Sequence, residues 1–426
     1  MASCAEKPLL ETDSIVLYYS QNAETRQAAK LVAEKSGSTL FDIAGKQALP
    51  DLMKYRFYYI GFPVINNEIA PLMQTFLSGA DFFDGLIIPF WTGTGNNADY
   101  SSLVENLIYR PRMIPGGGFT DVSFFNMKAV GEQVDTWLAA VTVQIDVLRS
   151  AGEWAEAVMK AFAAAYPDRL GQAVLCNGDW AVEMDGEQYY YALGRFLSEN
   201  EVNQVADFRP QRIYRYTTEF AGDTSENNAW KAAAAELFWR RTVFSGTAAG
   251  GYTYSPANPG SIRSTFYEKL LQCETREDAF AHQKIITFLR SSVTVHERLV
   301  TPLARVEQRI NELEKTDEEI TAWKKSLDSI TAWNWRNVAG SSNRSFHAYG
   351  IAIDLLMKLQ RGKETYWLWT RGKGIDWRTV PEEDKLNPPR SVIRVFEEEG
   401  FIWGGKWPWY DTMHFEYHPE LILLSL

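Results

Sequence analysis

Ser345-Phe346-His347-Ala348-Tyr349-Gly350-Ile351-Ala352-Ile353-Asp354 places an imidazole, a glycine and a carboxylate in one short run. Further along, Trp403-Gly404-Gly405-Lys406-Trp407 leads into Asp411-Thr412-Met413-His414-Phe415-Glu416. The two stretches together offer His347, Asp354 and His414 as metal ligands. Two His and one Asp leave a corner of a tetrahedral zinc open to water, the catalytic rather than the structural pattern. Water on zinc ionises near neutral pH and can attack an amide carbonyl. A carboxylate must then take the proton and pass it to the leaving amine. Asp411, just before His414, is placed to do so.

Local sequence supports this geometry. Gly350 allows a tight turn after His347. Ile351, Ile353 and Leu355 alternate with Ala352, Asp354 and Leu356, which predicts a largely buried strand with Asp354 on one face. His414 and Glu416 are two apart, so on a strand both point the same way. Glu416 is then either a group orienting a ligand or an alternative base.

Ser-x-His-x-x-Gly-x-Ala-x-Asp followed by Asp-x-x-His resembles the zinc peptidases that cut peptidoglycan stem peptides. These include the D-Ala-D-Ala carboxypeptidases and dipeptidases and the L-Ala-D-Glu endolysins. The resemblance covers about Ala332–Tyr417. It implies His347, Asp354 and His414 as zinc ligands and Asp411 as catalytic acid/base. It also implies an upstream arginine that meets a substrate carboxylate or the carbonyl. Arg336, in Asn334-Trp335-Arg336-Asn337, is the first candidate and Arg344 the second.

At 426 residues two or three domains are expected. A net charge of −11 with no basic stripe argues against a nucleic-acid partner. Of 15 tryptophans, nine follow residue 320; they suit either sugar stacking or a Trp-rich core around the site. Cys4, Cys176 and Cys273 are not at metal spacing with a histidine. Only five histidines occur, and His418, just before Pro419, reads as a bystander. No apolar run has transmembrane length.

Towards the N-terminus, Ser14–Ser20, Thr39–Ile43, Arg56–Phe62 and Gly85–Trp91 read as strands alternating with helices near Ala23–Lys35 and Ala70–Ser78. Alternation of this size predicts a doubly wound parallel sheet, with ligands beyond the carboxyl ends of its strands. Order and loops resemble flavodoxin: Tyr19-Ser20-Gln21-Asn22-Ala23-Glu24-Thr25 stands at the phosphate loop, and Phe90-Trp91-Thr92-Gly93-Thr94-Gly95 at a flavin-flanking loop. The resemblance implies FMN held by Ser20, Asn22, Thr25, Trp91 and Thr92. Ala23 stands where glycine is usual, so a flavodoxin-like domain without flavin is the other reading, with Trp91 simply packing.

The expected organisation is a flavodoxin-like α/β domain over 1–150, a helical and hairpin region over 151–331, and an α+β zinc D,D-peptidase-like core over 332–426. In the middle, Gly131–Val141 and Val143–Tyr166 predict helices, and Trp180–Tyr191 around Asp185-Gly186 predicts a hairpin. Arg263–Val293 reads as helical, and Thr301–Leu327 as an amphipathic hairpin or one long helix. The turn-rich 246–260 stretch reads as a surface loop or lid.

These features predict a zinc peptidase acting on stem peptides or muropeptides. The alternative is an FMN-binding redox protein whose C-terminal domain only binds murein. Met1-Ala2-Ser3-Cys4 resembles a lipoprotein cleavage site, which implies lipid on Cys4 and the bacterial envelope or periplasm. An ordinary N-terminus and a cytoplasmic protein acting on recycled muropeptides form the other reading.

Overall fold

Strand-forming runs of β-branched and aromatic residues near the N-terminus assemble into one parallel sheet. The computed structural model describes residues 14–426 apart from 21–22, 46, 81, 83–84, 94–98, 109–111, 115, 177–178, 193, 210, 212, 221–245, 249–251, 255–261, 339–342, 408 and 426. Cys4, Asn22 and most of the 246–260 loop thus lie outside the description.

The chain divides into two compact units. The first comprises 1–159, 171–211 and 241–262; the second comprises 160–170, 212–240 and 263–426. Residues 151–331 contribute to both units.

In the first unit, Thr39–Asp42, Ser14–Tyr18, Phe57–Ile65 and Leu86–Thr92 lie side by side in that order, all parallel. A fifth position is filled by Arg112–Met113 and then Gly117–Phe119, both parallel to Leu86–Thr92. Numbered along the chain this order is 2-1-3-4-5, the flavodoxin-like doubly wound arrangement. Both faces are apolar because both are covered: Ile15, Leu17 and Ile60 pack into one core, Val16, Tyr18 and Ile88 into another. The helix Met127–Ala165 is continuous, joining two expected helices into one. Val174–Cys176, Asp179–Met184, Glu187–Ala192 and Arg195–Ser198 form an antiparallel meander. Its Asp185-Gly186 turn has φ of 53° and 83°, the pair of positive values a two-residue hairpin needs.

The second unit is α+β. Its four-stranded sheet runs Leu327–Thr331, Ala352–Met357, His414–Tyr417, Phe401–Trp403. Ile353, Leu355, Phe415 and Phe401 point into a core shared with the helix Arg390–Glu398, where Phe396 stacks on Phe415 at 4.2 Å. Val300–Glu314 and Glu318–Ser326 form the expected helical hairpin.

One expectation is corrected. Arg263–Val293 is helical only over Phe266–Leu270 and Arg276–Ala281, after which Gln283–Phe288 and Ser291–His296 pair as a hairpin. Ile285, Ile286, Thr287, Val293, Thr294 and Val295 favour pleated packing, and Leu289 and Arg290 turn at φ of 44° and 67°.

His296 ends that hairpin, buried, with both ring nitrogens engaged. Nε2–H donates to the Leu271 carbonyl at 3.0 Å, and Nδ1 accepts from Arg298 N at 3.2 Å. Burial drives its pKa from 6.5 down to about 4. Protonation therefore favours the unfolded chain. The stabilisation is whole above about pH 6.5 and is lost as pH falls towards 4. Denaturation midpoints should fall across that window, and less steeply in His296→Gln.

Candidate metal centre

His347 sits on a single helical turn, Phe346–Tyr349, begun by Ser345 and closed by Gly350 at φ 76°. Only a residue without a side chain suits this close: a Cβ on Gly350 would lie 2.7 Å from the backbone nitrogen of His296. Gly350→Ala should therefore destabilise the second unit by about 1–2 kcal/mol or more, read as a lowered melting temperature. Asp354 and His414 are directly opposed on neighbouring antiparallel strands, so their side chains share one face.

The hydrogen bonds decide which ring nitrogens are available. His347 Nδ1 faces the Ala332 carbonyl at 2.6 Å, which can only accept, so Nδ1 carries the proton and Nε2 keeps its lone pair. His414 Nε2 donates to Glu416 Oε1 at 2.8 Å, which leaves Nδ1 turned to the site. Asp354 Oδ1 is 2.7 Å from His414 Nδ1, and Asp354 Oδ2 is 3.3 Å from His347 Nε2. The two facing ring nitrogens are 3.2 Å apart. All the donor atoms lie within 4.8 Å of one another. Lone pairs converging this closely are matched by a proton or a metal ion shared between them.

The electrostatics match. Burial works against charge on Asp354, yet His347 and His414 hold its carboxyl below the usual range. Burial likewise opposes a charged His414, but Asp354 and Glu416 raise its pKa well above the ordinary value. Without a metal, His414 takes the proton the cluster requires. The His₂Asp set fits zinc, with each imidazole anchored through its other nitrogen as metal-bound histidines usually are.

Asp411 lies beside this cluster. Its backbone N–H donates to the Gly404 carbonyl at 3.0 Å, and a Cβ at Gly404 would press to 2.7 Å from the Asp411 carbonyl oxygen. Burial, and the nearby Asp354 and Glu416 charges against the pull of His414, push its pKa up to about 7. Asp411 Oδ1 is buried and takes no hydrogen bond from the described residues. Glu416, by contrast, is fully engaged. Oε1 binds His414, Oε2 is 3.3 Å from His418 Nε2, and its pKa falls to about 2, both histidines outweighing burial.

Arg336 is exposed, its guanidinium 3.4 Å from the Asn337 carbonyl. Arg344 lies over the Trp335 ring at 4.3 Å. In the first unit, Thr25 and Thr92 are buried and share a hydrogen bond of 2.6 Å. Ser20 is buried, and Trp91 packs in the core, edge-on to Tyr100 at 5.6 Å.

Sequence reading missed Tyr366. Trp367 N donates to the Tyr410 carbonyl at 3.0 Å and Thr412 N to the Thr365 carbonyl at 2.9 Å, which sets Tyr366 directly opposite Asp411. Side chains of such a pair share one face. A strand-like run that pairs only through two bonds carries no local signal. His418 was also missed as a contact of Glu416, although His414-x-Glu416-x-His418 has an alternation that could have found it.

The first unit is thus a doubly wound α/β domain, and the second carries a buried His₂Asp cluster with an adjacent carboxyl. Residues 339–417 match a family model described as D-alanyl-D-alanine carboxypeptidase. That stretch contains His347, Asp354, Asp411, His414 and Glu416. A second model, described as a domain of unknown function, matches 158–213. Comparison with curated proteins finds no match.

Flavodoxin-like solved structures match the N-terminal part. A flavoprotein in complex with FMN from Lactobacillus acidophilus is 20% identical, covering 30% of this chain and 98% of its own, with a TM-score of 0.22. A WrbA-like flavodoxin from Agrobacterium tumefaciens is 17% identical over 32% of this chain and 99% of its own, with a TM-score of 0.24. A flavodoxin from Megasphaera elsdenii is 14% identical over 28% and 97%, with a TM-score of 0.23. The fold itself is defined by the 2-1-3-4-5 strand order.

Proposed function

We propose that this protein is a zinc-dependent peptidase that hydrolyses an amide bond of the peptidoglycan stem peptide. The observation that carries the reading is the convergence of His347 Nε2, His414 Nδ1 and Asp354 beside the buried Asp411 Oδ1, which takes no hydrogen bond from the described residues. Zinc, when bound, supplies a Lewis acid for the carbonyl and lowers the pKa of water.

The chain's own residues do the rest. His347, Asp354 and His414 hold the ion, and Glu416 orients His414. Asp411 is a carboxyl whose proton affinity lies near neutrality, so as the carboxylate it accepts a proton and then returns it to the leaving amine. Arg336 offers an exposed guanidinium to a substrate carboxylate, a planar fork matched to that group. Stem peptides or muropeptides, with their free carboxylates, fit this arrangement, and the bacterial envelope is the proposed setting.

Digestion of purified muropeptides with zinc-loaded protein, with and without chelator, tests this by mass spectrometry. Chelator-sensitive cleavage is expected, and fragment masses name the bond. A folded, zinc-loaded chain that cuts no muropeptide overturns the substrate. For the first unit, FMN binding is a separate proposal. Thr25 and Thr92 meet at the carboxyl end of the Leu86–Thr92 strand, where such sheets take ligands. Flavin absorbance of the purified chain, or a titration with FMN, checks it.

A further inference from the structure

After the last metal ligand the sequence keeps an alternating pattern: His414-Phe415-Glu416-Tyr417-His418-Pro419-Glu420. The even positions join in one buried chain of contacts. His414 Nε2 meets Glu416 Oε1 at 2.8 Å, and Glu416 Oε2 is 3.3 Å from His418 Nε2. His418 Nδ1 meets Glu420 Oε1 at 2.7 Å. Two phenols close the far end: Tyr267 donates to Glu420 Oε1 at 2.8 Å and Tyr166 to Glu420 Oε2 at 2.9 Å. Glu420 is wholly buried and both its oxygens are filled.

We infer that His418, Glu420, Tyr166 and Tyr267 are positioning residues that hold Glu416, and through it His414, so that His414 presents Nδ1 to the metal. The inference rests on the zinc reading above. Both nitrogens of His418 face carboxylates, so the ring is a doubly protonated donor. Against the cost of burial, Glu420 and Glu416 raise its pKa to about 9. Its plane is set by edge-on contact with Phe346 at 4.5 Å and Tyr267 at 5.8 Å. Glu416 therefore cannot swing away from His414 without abandoning a buried cation. A His414 ring turned to offer Nε2 to the metal would set a bare nitrogen against Glu416 and lose its bond.

The relay also draws in parts of the chain that the carboxypeptidase model leaves out. His418 and Glu420 follow residue 417, Tyr267 lies on Phe266–Leu270, and Tyr166 falls in the stretch matching the domain of unknown function. On this account, residues outside the matched segment complete the metal centre.

The test uses the full chain and two readouts besides activity. Zinc affinity is measured by competition with a chromophoric chelator. NMR of the zinc-loaded protein follows the His414 Nε2–H proton, which is strongly deshielded when it faces a carboxylate. His418→Gln should weaken zinc by roughly 10–100-fold and move the Nε2–H resonance upfield. Glu420→Gln should act in the same direction. Should His418→Gln fail to fold, the double variant Tyr166→Phe, Tyr267→Phe decides. It removes only hydroxyls and should weaken zinc severalfold.

Variants that melt cooperatively, bind zinc with wild-type affinity and keep the resonance in place overturn the relay. Wild-type protein that binds zinc tightly yet cuts no muropeptide overturns the substrate proposal and leaves the relay standing. Wild-type protein that binds no zinc overturns both.

Discussion

Asp411→Asn is expected to lower hydrolysis by about 10²–10⁴-fold while zinc content, measured by elemental analysis, stays at the wild-type level. Asparagine is nearly the same size and leaves the Asp411–Gly404 backbone bond untouched, so the strand geometry around His414 survives. What disappears is the exchangeable proton. Asp411 is the carboxyl suited to this work because its Oδ1 is buried without a partner among the described residues and its pKa is pushed up to about 7. On the proposed mechanism Glu416 is the weaker candidate for it. With His414 on one oxygen and His418 near the other, its pKa is about 2, and a base so weak takes little of a proton. Glu416→Gln should therefore show itself first in zinc affinity. A full rate in Asp411→Asn would remove Asp411 as the base.

His414→Ala is expected to abolish zinc retention and hydrolysis together. The substitution removes the ligand whose two nitrogens face Asp354 at 2.7 Å and Glu416 at 2.8 Å. Both carboxylates lose their closest cationic partner in a buried setting, so a stability loss of about 3 kcal/mol accompanies the lost site. Chelated wild-type protein separates the effects. It should be inactive, melt at a lower temperature because bound metal favours the folded state, and regain activity with added zinc. His414→Ala should regain none. Zinc bound at wild-type stoichiometry in this variant would mean that the ligands lie elsewhere.

Much of the site was legible because it is local. His347 and Asp354 are joined by one turn and one strand, and Gly350 marks the turn by a backbone conformation that side chains resist. Alternation of Ile351, Ile353 and Leu355 told which face carries Asp354, since period two is a property of the strand itself. The doubly wound sheet was legible for a similar reason: apolar runs separated by helical segments leave few other ways to bury both faces.

Other features are not decided by local sequence. The 283–296 hairpin reads as helix from sequence because an apolar run following short helices suits either period; pairing with a partner strand decides it. Tyr366 reaches Asp411 only through a two-bond bridge. His418, read as a bystander, gains its place from Glu416 on one side and Glu420 on the other.

Side-chain chemistry and short-range periodicity are enough to propose His347, Asp354 and His414 as ligands with a carboxyl beside them, and to distinguish the two kinds of domain. Which nitrogen of each histidine faces the cluster is settled by long-range contacts. That choice is made by the Ala332 carbonyl and the Glu416 carboxylate, groups whose positions follow from strand pairing. Likewise only the fold brings Tyr166 and Tyr267 onto Glu420, since a hydrogen bond between residues 254 apart in the chain is made by packing and by nothing nearer.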